Sequence, residues 1–159
     1  MGTFGWPTRL KFGLIAAGMG WLAGWLVSFP FEISTALRYV DGDFRRLPMV
    51  LMKGSVIWAG FTLFMAAAGA LPLMLPAVLL IPPGWIVRRR GLLIPGVPFI
   101  ALLALDQRMG FLHLYRLRDP AVEEFIFTAP TFFVVSFALV VVWVYTALAR
   151  RRLGTLKAG

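Results

Sequence analysis

Residues 54–87, GSVIWAGFTLFMAAAGALPLMLPAVLLIPPGWIV, contain no Asp, Glu, Lys or Arg. Two further apolar blocks, FGLIAAGMGWLAGWLVSFPF (12–31) and EFIFTAPTFFVVSFALVVVWVYTALA (124–149), stand on either side, and a shorter one, GLLIPGVPFIALLAL (91–105), runs up to Asp106. A helix of about 20 apolar residues crosses a hydrocarbon core of roughly 30 Å. It also satisfies every backbone N–H and C=O within the segment, which hydrocarbon requires. Strands of an outer-membrane barrel alternate apolar and polar residues instead. The pattern therefore predicts an all-α integral membrane protein.

Composition agrees: 60% of the 159 residues are hydrophobic and 14% charged, against about a quarter charged in soluble domains. The formal charge of +9 would suit nucleic acid, but the arginines sit at the ends of the apolar blocks. Anchoring to the cytoplasmic face of a membrane explains them, and no nucleic-acid partner is expected. There is no cysteine, which excludes disulfides, thiolate metal sites and cysteine nucleophiles. Arg9 and Lys11 before the first block resemble a signal peptide. That block is longer than a usual signal core and no A-x-A site follows, so a retained anchor is expected.

The number of crossings turns on residues 54–87. One straight helix through all of them would run about 50 Å, while cutting at Gly69–Pro72 leaves two spans of roughly 25 Å or less. The expectation is a four-transmembrane-helix bundle in one membrane domain, with helices near 12–33, 54–84, 91–107 and 124–149 and outer loops at 34–49 and 106–124. The second helix would bend at Pro72 and Pro76 and end at Pro82-Pro83-Gly84. Both termini would be cytoplasmic, in a bacterial inner membrane. Five helices with the N-terminus outside is the alternative. It places more Lys and Arg inside, but needs two short spans with almost no polar turn between them.

Ala16, Gly20, Gly24 and Ser28 recur every four residues in the first helix. Such a ridge of small side chains lets another helix approach closely, either a partner's or one of this chain's own. Trp21 and Trp25 flank it at mid-membrane depth, where a partner, a lipid or a pigment could cover them. Trp85 with Arg88, Arg89 and Arg90, and Arg150, Arg151 and Arg152 at the end of the last helix, are expected interface anchors. Both triplets would meet anionic headgroups, at about 1 kcal/mol per residue.

Glu32 and Lys53, near the outer ends of helices one and two, form a candidate intramembrane polar site. Pairing or snorkelling is the expected role. Asp41-Gly42-Asp43 has the D-x-D spacing of divalent-cation sites, yet a turn paired with Arg45 or Arg46 is the simpler reading. His113 is the single histidine, so haem, pigment or metal would have to be shared with a partner. Asp106 with Arg108, and Glu123-Glu124 with Arg116 and Arg118, read as outer ion pairs, and the MGFLHLYRL stretch as a short interfacial segment. No catalytic residue or metal ligand is assigned, and no nucleophile elbow, zincin, Walker or dinucleotide motif occurs.

These features point to a non-enzymatic accessory or structural subunit of a larger membrane complex, docking through helix one, with bound lipid expected and no other cofactor evident. Self-association would serve the same surface. An oligomeric channel, transporter or holin-like pore is one alternative. A lipid- or polyprenyl-modifying enzyme using Asp41 and Asp43 is another.

Overall fold

The computed structural model describes residues 5–40, 42–67, 71–109 and 129–158. All regular structure among them is helical: α1 (Trp6–Val40), a 3-10 turn (Phe44–Arg46), α2 (Leu47–Met65), α3 (Leu71–Leu80), α4 (Pro83–Arg88), α5 (Arg90–Met109) and α6 (Ala129–Ala158). Three helical segments, Trp6–Val40, Phe44–Met65 and Ala129–Leu156, are long and apolar enough to cross a membrane, and Arg90–Leu103 is a shorter apolar helix.

Several boundaries differ from the sequence expectation. The supposed outer loop at 34–49 is mostly helix, because α1 runs to Val40 and α2 starts at Leu47. The reversal between them is tight. Gly42 has φ +88, a conformation that only glycine adopts freely, and Asp43 N–H donates to Val40 O at 2.9 Å. The expected second helix at 54–84 is interrupted. Ala66 and Ala67 form a wider π turn and α3 begins at Leu71, carrying Pro72 and Pro76 within it.

The PPG break both ends one helix, α3 at Leu80, and starts the next. Pro82 is extended (φ −59, ψ 132) and Pro83 opens α4, where a missing N–H is harmless and the fixed φ is already helical. Pro83 and Ile86 turn into the core while Trp85 stays about half exposed. The last helix continues past Ala149 to Ala158, so the second arginine triplet is helical.

Successive contacts along α1 order the other helices. A Cβ on Gly54 would meet the Glu32 carboxylate, Trp58 bonds Ser28, and Trp21 bonds Thr62. Further on, Val78 packs on Gly13, and Leu79 O accepts from Arg9 at 2.8 Å. From Gly54 to Leu79 the chain thus steps in one direction along α1, from Glu32 back to Arg9, a rise of about 35 Å at 1.5 Å per residue. These contacts do not double back.

On its other flank α1 packs antiparallel to α6: Gly20 faces Phe137 and Val141, and Gly24 faces Phe133. Helix α6 is central, since 56% of its most apolar 18-residue stretch is buried, against 28% for that of α1 and 6% for that of the segment containing α2. Helices α4 and α5 cover its far side. This order collects Arg9, Lys11, Arg88–Arg90 and Arg150–Arg152 at one end of the bundle. Asp43, Arg45 and Arg46 lie at the other.

Candidate functional site

The small-residue ridge is real, and α6 of the same chain fills it. Ala16, Gly20, Gly24 and Ser28 are all buried, as is Gly13 one step further along. A Cβ on Gly20 would lie 2.6 Å from Val141 Cγ2 and 2.9 Å from Phe137 O, and one on Gly24 would lie 2.8 Å from Phe133 O. Backbone oxygens cannot swing aside as side chains can, so glycine sets the approach of α1 to α6 here. A partner docking on helix one has to use another of its faces.

Of the two tryptophans beside the ridge, Trp21 looks to α2. Trp21 Nε1 donates to Thr62 Oγ1 at 3.2 Å, and Thr62 Oγ1 is itself within 2.9 Å of Trp58 O and 3.1 Å of Ala59 O. The second pair runs the opposite way. Trp58 Nε1 on α2 donates to Ser28 Oγ at 2.7 Å, and Ser28 Oγ donates to Trp25 O at 2.9 Å. In each pair a hydroxyl gives its proton to a carbonyl of its own helix and accepts an indole N–H from the facing one. Polar side chains that would be costly in hydrocarbon are thereby satisfied between helices. Trp25 packs on Phe29, with ring centroids 5.4 Å apart, and its Nε1 is buried with no hydrogen-bond partner among the described residues.

Glu32 continues this seam. Ser55 of α2 reaches its carboxylate, while Oε2 is buried over Gly54 without a partner among the described residues. Lys53 points outward and exposed. The structure therefore does not join Glu32 to Lys53, and the polar site is Glu32 with Ser55. Asp43 pairs with Arg46 at 3.0 Å across an exposed turn. Asp41, His113, Arg116, Arg118, Glu123 and Glu124 lie outside the described residues, as do the side chains of Asp106 and Arg108. The divalent-cation, shared-haem and second-loop ion-pair readings involve them. No group of three His, Cys, Asp or Glu able to hold a metal occurs among the described residues.

Arg88, Arg89, Arg90, Arg150, Arg151 and Arg152 are all exposed, and Trp85 stands beside the first triplet, as an interface anchor requires. Arg9 lies in the same region, close enough to Tyr145 to act on it electrostatically.

The sequence reading missed Trp58 as the partner of the ridge serine, and Tyr145 altogether. Trp58 and Thr62 stand four apart, so they share a face of α2; that spacing could have matched them to Ser28 and Trp21 once an α1–α2 hairpin was assumed. Comparison of the chain with protein-family models, with curated proteins and with solved structures finds no match.

Proposed function

We propose that this chain is a small multi-pass accessory or structural subunit of a larger protein complex in a bacterial inner membrane. In this reading it crosses four times, by α1, by α2 with α3, by α5 and by α6, and keeps both termini on the cytoplasmic side. The one-way order of contacts from Gly54 to Leu79 along α1 supports a single crossing for that segment. The gathering of Arg9, Lys11 and both arginine triplets at one end supports the orientation, because basic residues favour the cytoplasmic side.

The observation that carries the subunit reading is a pair of open notches. Gly18 on α1 and Gly60 on α2 have nothing within 4 Å of a Cβ position. Leu14, Ile15 and Leu22 frame the first; Val56, Ile57, Leu63 and Phe64 frame the second, all of them exposed. Glycine inside a helix costs about 1 kcal/mol relative to alanine in water, and no neighbour among the described residues uses either gap. Close approach of another helix does use such a gap. Docking through helix one then falls on its Gly18 face, beside α2, and the partner is another membrane protein or a second copy.

Native gels of the full chain, extracted from its own membrane in mild detergent, test this. The expected result is a band well above the monomer that Gly18→Leu or Gly60→Leu returns to monomer size, while the chain keeps its yield and helix content. A wild-type band at monomer size, or an assembly indifferent to both substitutions, contradicts the proposal. Gly20→Leu and Gly24→Leu are unsuited to this purpose, since they disturb the chain's own packing first.

A further inference from the structure

A cavity of about 350 Å³ lies between α3, α4, α5 and α6, within the roughly 300–1,000 Å³ usual for small-molecule sites. Its wall is apolar, with Met74, Val78, Leu93, Val97, Phe137 and Val141 typical of it. Tyr145 breaks the pattern. It lines the cavity and is 3% exposed, and its hydroxyl is buried with no hydrogen-bond partner among the described residues. Buried polar groups almost always have a partner, and this hydroxyl has a proton to donate to one.

The position of Tyr145 gives the cavity a polarity. It lies little more than one helical turn before Arg150 and near Arg9, at the arginine-rich end. Trp85 and Ile100 line the cavity and are also exposed, which opens it sideways between α4 and α5. Arg88, Arg89 and Arg90 follow Trp85 after Ile86 and Val87 and are exposed. A space of this volume between helices of one chain is too small for a further helix, which is about 10 Å across with its side chains. It suits a flexible apolar chain with a hydrogen-bond acceptor at one end and negative charge just beyond.

We propose that the cavity holds one acyl chain of an anionic phospholipid drawn from the surrounding leaflet. The Tyr145 hydroxyl donates to an ester carbonyl of that lipid, and Arg88–Arg90 meet its headgroup phosphate. Polybasic residues at an acidic leaflet supply the electrostatic attraction, and the dry gallery supplies the contact for the chain. The inference rests on the bilayer placement proposed above and is independent of any protein partner.

The test reconstitutes the full chain in liposomes containing phosphatidylglycerol with a photoactivatable diazirine in its acyl chain, or phosphatidylcholine with the same chains, and maps the adducts by peptide mass spectrometry. Phosphatidylglycerol should label the cavity stretches of α5 and α6 several-fold above the outward face of α2, and several-fold above phosphatidylcholine. Tyr145→Phe, which keeps the ring and therefore the fold, should lower cavity labelling by roughly two- to tenfold, the usual worth of one hydrogen bond. Ala101→Trp should abolish it by filling the space. Cavity labelling no higher than that of α2, equal labelling by the two headgroups, or labelling unmoved by Tyr145→Phe overturns the proposal. Carbonate extraction of the same liposomes reports insertion separately, so a failure of bilayer placement is distinguishable from a failure of the lipid site.

Discussion

Helix α1 is held by two seams of opposite chemistry. Toward α6 it presents Gly20 and Gly24, and the contact is dry, with Phe133 and Phe137 pressed on bare backbone. Toward α2 it presents Trp21, Ser28 and Glu32, and the contact is made by indole-to-hydroxyl hydrogen bonds running in both directions. Lipid tails are as apolar as leucine, so burial alone does not drive helices together in a bilayer. Close packing and interhelical hydrogen bonds do. This chain uses one mechanism on each flank, and the two respond differently to substitution.

The largest effect is expected on the dry seam. Gly24→Ala places a methyl group 2.8 Å from Phe133 O, so the helices must separate. The expected loss is about 1–3 kcal/mol, read as an earlier transition when the micelle-bound protein is titrated with SDS and followed by tryptophan fluorescence. Gly18→Ala, on the same helix with open space around it, is the control and should be neutral or slightly stabilising. Equal shifts for the two would mean that the glycine seam does not set the α1–α6 distance.

An intermediate effect is expected at Trp58 and Ser28. A double-mutant cycle of Trp58→Phe and Ser28→Ala should give a coupling of about 0.6–1.7 kcal/mol, the span from the average to the upper end for hydrogen bonds between membrane helices. The cycle at Trp21→Phe and Thr62→Ala should give less, because that bond is longer, 3.2 Å against 2.7 Å. A reversed order, or no coupling at either pair, would reduce the polar seam to simple packing.

The ridge was legible in the sequence because four-residue spacing of small side chains is a geometric statement about one helix face. What covers that face was not legible, since a partner helix and the chain's own last helix present the same apolar surface to glycine. The apolar blocks showed which segments are helical but not where they turn. Gly42 and Pro82-Pro83 act through local backbone geometry, and the first made the loop expected at 34–49 far shorter than composition suggested. Glu32 and Lys53 were expected to pair or to snorkel, because the two charges stand near the same end of a hairpin. The helical phase of α2 instead turns Ser55 inward and Lys53 outward. Tyr145 drew no attention because one phenol in an apolar span carries no pattern; only the cavity beside it gives it meaning.

Which residues share a side of the membrane is the question on which the account depends most. The chain has no native cysteine, so Lys11→Cys, Asp43→Cys and Arg89→Cys can each be probed singly with an impermeant maleimide in intact cells and in inverted vesicles. Lys11→Cys and Arg89→Cys are expected to react only in inverted vesicles, and Asp43→Cys only in intact cells. If Lys11→Cys reacts from the outside while Asp43→Cys and Arg89→Cys react together from the inside, the segment between Gly54 and Leu79 crosses more than once and the account is wrong.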